Sequence, residues 1–190
     1  MNRGNTKPSL WCSKLFGGHL CVTMTDAYRE DLTFIHDVGF GHLAKNAAPV
    51  LLEALRHRGT DHGLVIDLGC GNGLLAKELS VGSYEVLGIA IPKTMLSIAR
   101  KRVPSACFRQ DSILEAQLLP CAAVLAVGEC FNHLFDEDNT EQGLYELFGC
   151  IHRALDAGGL FLFGVVEPGR VSGSGLQLAY TVLLDLLGGW

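Results

Sequence analysis

The sequence has no apolar run long enough to cross a lipid bilayer. Its longest apolar segments, Ala122 to Val127 and Leu160 to Phe163, have the length of β-strands, whereas a membrane-spanning helix needs about 20 apolar residues. Charged residues are also few, at 18 %, against 48 % hydrophobic residues. This balance argues against a disordered chain, and the lack of long apolar runs argues against a membrane protein. It predicts one domain with a substantial apolar core.

The sequence also lacks an excess of positive charge, and it lacks closely spaced cysteines. The formal net charge is −5, and the one basic cluster, Arg100 to Arg102, ends a predicted helix, where cations interact favourably with the helix dipole. We therefore expect no nucleic-acid partner. The seven cysteines show no zinc-type spacing, so no metal site is expected. Their odd number and lack of evident pairing favour a reducing, cytoplasmic location.

The first 23 residues lack the features of a signal peptide. Their apolar content is interrupted, and no small-residue cleavage site follows. Met24 is a sensible start for the folded part. The sequence therefore predicts a flexible arm over residues 1–23 and a single domain over residues 24–190.

From residue 26 onward, the hydrophobic pattern alternates between helical and strand spacing. Helical spacing covers Asp26 to Arg58, where Pro49 is expected to kink the segment or to start a second helix. Strands are predicted at 64–68, 84–91, 106–109, 122–127 and 160–166, and helices at 74–79, 94–102 and 140–155. This order predicts an α/β fold, a doubly wound, mainly parallel sheet with helices on both faces. Ligands of such sheets bind at the carboxyl ends of the strands.

The turn after the first predicted strand is the most informative segment. Gly69, Gly71 and Gly73 stand at alternate positions, which permits a sharp turn and a close approach by a ligand. Asp67, at the strand end, suits a ligand with a cation or hydroxyls. The dinucleotide fingerprint would need a glycine where Leu74 stands and an acid about 20 positions on, and both are absent. No Gly-Lys-Ser/Thr follows, which excludes a phosphate-binding P-loop.

The run from Val65 to Gly73 resembles motif I of class I S-adenosylmethionine (AdoMet)-dependent methyltransferases. Later segments resemble other motifs of that family in the same order: 86–99, the second strand and its helix; 110–112, an acidic turn; 126–134, motif IV; and 155–160, the entry to the fifth strand. The resemblance covers roughly residues 26–168. It implies a Rossmann-like three-layer domain that uses AdoMet as methyl donor and releases S-adenosylhomocysteine.

The resemblance also implies site residues. Asp67 and the turn backbone would hold the amino-acid end of AdoMet, and Asp111 with its two successors would meet the adenine. The full implied cofactor set is Tyr28, Asp67, Gly69, Cys70, Gly71, Gly73, Ala90, Ile91, Asp111, Ser112, Ile113, Gly128 and Glu129. The catalytic candidates are Glu129, Asn132 and His133, beside Phe131 in the methyl-transfer cavity. His36 and His42 are candidates, with Tyr28, to close the pocket.

Two features depart from the family pattern. Ala90 stands where the family usually has an acid that binds both ribose hydroxyls, a loss of roughly 1.5–3 kcal/mol per charge-assisted bond. After residue 168 only one apolar helix or strand fits, within Leu176 to Leu187, where the family has an antiparallel hairpin. The domain therefore resembles a C-terminally shortened methyltransferase. An exposed sheet edge would follow, and with it a possible homodimer.

The acceptor expected from the sequence is a small molecule. No Asn/Asp-Pro-Pro-Tyr motif follows the fourth predicted strand, which removes the usual argument for methylation of nucleic-acid bases or glutamine. Three alternatives stay open: a non-catalytic AdoMet-fold binding or regulatory protein, an NAD(P)-dependent oxidoreductase, and aminopropyl transfer on the same fold. Cofactor binding separates the oxidoreductase from the others, and turnover separates the non-catalytic protein.

Overall fold

A computed structural model describes residues 41–128, 130–132, 139–165 and 180–184 of the chain. Side chains are described throughout these ranges except at 41–45, 132 and 180–184. The expected arm over residues 1–23 and the expected domain start at residue 24 lie outside the described residues.

Helices and strands alternate along the described chain. The helices are α1 (Gly41–His57), α2 (Leu74–Val81), α3 (Lys93–Arg102) and α4 (Glu141–Ala154). The strands are β1 (Leu64–Leu68), β2 (Glu85–Ala90), β3 (Cys107–Gln110), β4 (Cys121–Ala126), β5 (Leu155–Gly164) and β6 (Tyr180–Leu184). A short 3-10 turn, Cys130–Asn132, follows β4.

The described strands form one sheet in the order β3-β2-β1-β4-β5-β6. All neighbouring pairs among the first five strands are parallel, and β6 is antiparallel to β5. The predicted α/β fold with a mainly parallel sheet is therefore confirmed. Strand order reverses between β1 and β4, and the crevice at that reversal is where doubly wound sheets bind ligands. Asp67, at the end of β1, lies beside it, paired with Gly88 of β2 and Leu125 of β4.

The sheet is buried on both faces because its central strands are apolar in successive residues. One face packs on α1 and α2, through a cluster that includes Leu51, Leu79 and Val65. The other packs on α4, through a cluster that includes Ile151 and Ile66. This gives three layers, with helices on both sides of the sheet. None of the helices in the described ranges has the length and apolar character needed to cross a membrane.

Helix α1 runs through Pro49, so of the two alternatives expected there, a kink or the start of a second helix, the second is wrong. The helix ends as the sequence predicts. Gly59 takes a left-handed φ of 73°, its N–H donates to the Arg56 carbonyl at 3.0 Å, and the Thr60 N–H donates to the Leu55 carbonyl at 3.0 Å. These two bonds form a Schellman cap, which satisfies carbonyls left open at the helix end.

The start of β5 differs from the prediction, whereas β6 agrees with it. Strand β5 begins at Leu155, directly after α4, because Leu155 already pairs with Cys121; the register then shifts before Leu160 pairs with Ala123. Gly158, at φ 81°, lies within this irregularity, as expected of a bulge. The one apolar segment predicted after residue 168 proves to contain a strand, β6, which pairs with β5.

Candidate cofactor site

The turn after β1 is held against β2 by its own backbone. The N–H groups of Gly69 and Cys70 both donate to the carbonyl of Ile89, at 2.8 and 3.1 Å. Gly69, Gly71 and Gly73 all have left-handed φ values, of 73°, 50° and 77°. Helix α2 begins directly after the third of these glycines. The turn thus presents backbone, without Cβ atoms at three positions, toward the end of the sheet where a ligand would bind.

Position 69 requires a glycine for two reasons, its left-handed φ and the close approach of a neighbouring side chain. A Cβ there would lie 2.3 Å from the Sγ of Cys130, the residue that begins the 3-10 turn after β4. The Cys130 thiol lies 3.3 Å from the Leu68 carbonyl and 3.5 Å from the Val127 carbonyl. The ends of β1 and β4 therefore meet through one cysteine and one glycine. The sequence does not predict this role of Cys130, because the only signal is its position shortly after the fourth predicted strand.

Gly69→Ala is expected to destabilise the protein by about 2–5 kcal/mol. Left-handed backbone costs about 1–2 kcal/mol for an L-residue, and the contact with Cys130 adds overpacking of about 1–3 kcal/mol. Gly59→Ala is the matched control, since Gly59 has the same φ of 73° but no atom within 4 Å of the place that a Cβ would take. Urea unfolding of both variants measures the difference, and equal losses would contradict the role of the Cys130 contact.

Asp67 places a buried carboxyl group next to the glycine turn. Only 2 % of the residue is exposed, and burial raises the pKa of its carboxyl to about 7. Its Oδ2 accepts no hydrogen bond from any described residue. An ionised carboxylate in such a place costs several kcal/mol unless an opposite charge reaches it. A cationic ligand group would offset this cost.

The Cys70 side chain turns into the fold. The residue is 7 % exposed and packs with Ala90, Leu96 and Phe108. Burial, followed by the nearby Asp67 charge, raises the pKa of its thiol well above the usual range. A ligand at this turn would therefore meet the backbone of Cys70 and not its side chain. An inert, protonated thiol of this kind is a small apolar filler.

Ala90 belongs to this same apolar cluster and is 4 % exposed. Its carbonyl accepts from the Asp111 N–H at 3.2 Å, which joins the end of β2 to the loop after β3. Ile91 follows Ala90, so both predicted residues lie at the carboxyl edge of the sheet. Where the family pattern expects a carboxylate, this chain offers a buried methyl group.

Asp111 lies at the carboxyl edge of the sheet, as expected, and its carboxylate forms an ion pair with Arg109. Its Oδ2 lies 3.2 Å from the Nε of Arg109, and both side chains are largely buried, with 13 % and 14 % exposed. Arg109 also donates to the Gln117 carbonyl at 3.0 Å. The ion pair therefore fixes the position of Asp111 and leaves its second oxygen, Oδ1, for other contacts. Sequence reasoning missed Arg109, since alternation alone assigned it to the strand.

The two residues after Asp111 have mainly structural contacts. The Ser112 hydroxyl accepts from the Leu114 N–H at 3.1 Å, a local turn. Ile113 packs against the core cluster on the α4 face. These contacts hold the loop backbone in place beside the end of β2.

Phe131, which the resemblance places in the methyl-transfer cavity, lies in a cluster of aromatic rings. It is 7 % exposed, with its ring centroid 5.5 Å from Phe148, 6.4 Å from Phe161 and 5.8 Å from Phe163. Edge-to-face contacts of this kind stabilise a core. Gly128, which precedes this turn, has a φ of 96° and open space where a Cβ would be.

Several predicted residues cannot be placed. Tyr28, His36, Glu129 and His133 lie outside the described residues, and the side chains of His42 and Asn132 are not described. The described ranges hold no group of three or more His, Cys, Asp or Glu side chains arranged for a metal ion. The site brought together in the structure is therefore the Asp67 turn, the end of β2 and the Asp111 loop.

Comparison with known proteins adds a family match. Residues 65–159, half of the 190-residue chain, match a family model described as a methyltransferase domain. YqeM of Bacillus subtilis strain 168, whose name describes a methyltransferase, is 30 % identical over 117 residues. That alignment covers 59 % of this chain and 46 % of YqeM.

Similar solved structures share the fold. DesVI of Streptomyces venezuelae gives a TM-score of 0.62 at 20 % identity, over 76 % of this chain and 62 % of DesVI. CalS10 of Micromonospora echinaspora, an amino pentose methyltransferase solved with SAM bound, gives 0.61 at 18 % identity, over 79 % of this chain and 60 % of CalS10. The chain thus spans less than two thirds of the length of these relatives.

Proposed function

Because the chain belongs to the methyltransferase domain family, we propose that it binds AdoMet and transfers the methyl group to a small-molecule acceptor. Membership confirms the family that the sequence motifs predicted, with AdoMet as the cofactor of that class. It also decides against the NAD(P)-dependent oxidoreductase.

The observation that carries the proposal is the buried Asp67 carboxylate beside a turn of left-handed glycines. AdoMet bears an α-ammonium group, which supplies both the positive charge and the N–H donors that the Asp67 Oδ2 lacks. The neighbouring turn backbone has no Cβ at Gly69, Gly71 and Gly73, so an amino-acid moiety can lie against it. The residues present therefore fit the amino-acid end of AdoMet.

The fit is poorer at the ribose. Ala90 gives no hydrogen-bond acceptor from its side chain, and it is buried against Cys70 and Leu96. At the adenine end, Asp111 offers one carboxylate oxygen while Arg109 holds the other. We therefore expect AdoMet to bind mainly through its two ends, with weaker affinity than a ribose-binding carboxylate would give.

The sulfonium of AdoMet supplies an electrophilic methyl group, so the protein's task is to orient the reactants and exclude water. Asp67 would anchor the amino-acid end, and the turn between β1 and α2, which is hydrogen-bonded to β2, would fix the direction of approach. Gly128 lies just after β4, and a Cβ at this residue would meet no described atom within 4 Å. General base catalysis by Glu129 or His133, with Asn132 as a further polar contact, stays a prediction.

The acceptor class is a separate part of the proposal. The net charge of −5 does not favour a polyanionic acceptor such as nucleic acid. CalS10, one of the similar structures, acts on an amino pentose by its name. A small molecule with an amine or hydroxyl nucleophile is thus the class to screen first.

Calorimetric titration with AdoMet and with S-adenosylhomocysteine tests the cofactor part of the proposal. Binding of both at micromolar concentration is the expected result. Transfer from AdoMet labelled in its methyl group to a panel of small amines and alcohols then tests turnover. A folded protein that binds neither cofactor form would refute the proposed function.

A second candidate function is AdoMet binding without catalysis. The buried Ala90 favours this alternative, because its side chain offers no hydrogen-bond acceptor to the ribose of the cofactor, and the ribose is therefore bound more weakly. Under this alternative, the titration succeeds while every acceptor in the panel stays unlabelled.

Ala90→Asp is expected to tighten AdoMet binding about tenfold or more, since each charge-assisted hydrogen bond contributes about 1.5–3 kcal/mol. The same change should lower the melting temperature of the cofactor-free protein, because a carboxylate replaces a methyl group in an apolar cluster. Ala90→Asn is the matched control, with similar size and no charge. Calorimetry and thermal unfolding check both effects; equal affinities for the Asp and Asn variants would contradict the charge argument.

A homodimer through the sheet edge is the remaining part of the proposal. Strand β6 is the last in the described sheet order, and an edge strand can pair with a second copy. Light scattering after size-exclusion chromatography gives the mass directly, and a monomer at all accessible concentrations would refute this association.

A further inference from the structure

The end of β2 presents no polar side chain. Ala90 packs with Cys70 and Leu96, and Ile91 and Pro92 follow it. Pro92, the N-cap of α3, forms no side-chain cap hydrogen bond and, as a proline, has no N–H. A ligand that lies across this strand end would find hydrogen-bonding side chains only on a neighbouring element.

Gln110 is that neighbour. It is the last residue of β3 and pairs with Ala90 in the parallel register. Its side chain is exposed, yet its Nε2 donates to the Ile91 carbonyl at 3.1 Å, so the amide crosses from β3 to the end of β2. This bond uses one N–H of the amide. The carbonyl oxygen and the second N–H are left for a ligand.

We propose that Gln110 supplies the hydrogen bond to the ribose hydroxyls of AdoMet that this chain lacks at position 90. The inference rests on the proposed function, since it concerns the same cofactor. Gln110 reaches the required place because the β2–β3 register sets its Cα beside that of Ala90. The bond to Ile91 fixes the amide before the ligand arrives, which reduces the entropy lost on binding.

A glutamine in this role has a recognisable energetic consequence. A neutral amide forms a weaker hydrogen bond with a hydroxyl than a carboxylate does. The ribose hydroxyls should therefore contribute to affinity, but by only about fivefold, the factor for one neutral hydrogen bond. That contribution should disappear when the Gln110 side chain is removed.

The experiment is calorimetric titration of the full chain with two probes, S-adenosylhomocysteine and its 2′,3′-dideoxy analogue. The proteins are the wild type, Gln110→Ala, and the control Gln117→Ala, whose side chain is also exposed. We expect the wild type and the control to bind the dideoxy probe about fivefold more weakly than the parent. Gln110→Ala should bind the parent about fivefold more weakly and bind both probes equally.

Two results overturn the inference while leaving the proposed function intact. One is unchanged affinity of Gln110→Ala for S-adenosylhomocysteine, and the other is full discrimination between the probes by that variant. Absence of binding by the wild type overturns the proposed function and this inference together. Since Gln110 is exposed, its replacement should leave the melting temperature nearly unchanged, so a loss of affinity reports on the ligand contact.

Discussion

Asp67→Asn and Asp67→Ala should each weaken binding of AdoMet at least about 30-fold, the loss expected when one partner of a buried charge pair is removed. The Asp67 Oδ2 has no hydrogen-bond donor among the described residues, and the ammonium of AdoMet is the group we assign to it. The Asn side chain keeps the size of the carboxylate and removes its charge. Loss of binding in both variants would therefore identify the charge as the cause.

Calorimetry with S-adenosylhomocysteine measures this loss, with Asp61→Asn as the control. Asp61 is exposed and precedes β1, so it lies at the opposite end of the strand from the glycine turn. The control removes one carboxylate and should leave the affinity unchanged. Wild-type affinity in Asp67→Asn would refute the assignment of Asp67 to the cofactor.

The proposed ion pair between Asp67 and the ammonium group of AdoMet predicts that binding depends on pH. The pKa of Asp67 is about 7 in the protein without ligand, and only the ionised form attracts an ammonium group. Affinity should therefore fall about tenfold per pH unit below pH 7 and level off above it. Binding near pH 7 should release protons from the protonated fraction of Asp67, which titrations in buffers of different ionisation enthalpy detect. The Asp67→Asn variant should show neither effect.

The sequence predicts the fold well where one interaction decides the structure. The apolar run of β1 can be buried only inside a parallel sheet, and the glycines after it can only form a turn. The course of α1 through Pro49 is not predictable in this way, because packing of the helix on the sheet outweighs the missing hydrogen bond at a proline. The start of β5 at Leu155 escapes prediction because it depends on pairing with Cys121 of a distant strand.

Some residues of the candidate site could likewise be predicted from the sequence, and others could not. Asp67 and the glycine turn are predictable because their spacing in the chain is itself the signal. Cys130 and Gln110 are not, because each acts through a neighbour that only the sheet order brings near: Gly69 for Cys130, and Ile91 for Gln110. Neither residue is part of a spaced motif, so neither carries a signal until the register is known.

Asp67→Asn should also stabilise the ligand-free protein above pH 7, by up to about 4 kcal/mol. Burial raises the pKa of the carboxyl from 3.8 to about 7, so the folded state binds the proton more tightly than the unfolded state. The stability that this proton contributes is complete below about pH 4 and is lost as pH rises to about 7. The wild type then carries a buried, unpaired charge, whereas the Asn variant does not.

Urea unfolding of wild type and variant from pH 4 to pH 8 tests this, and the difference between the two curves isolates Asp67 from other titrating groups. The Cys70 thiol, which lies near Asp67, stays neutral over this range because its own pKa is raised. Asp61→Asn should change stability in the opposite direction, since His62 lowers the pKa of Asp61. A difference curve that is flat with pH would contradict the buried charge. A variant that is more stable and yet unable to bind would show that the carboxylate is retained at a cost in stability, as is common for functional sites.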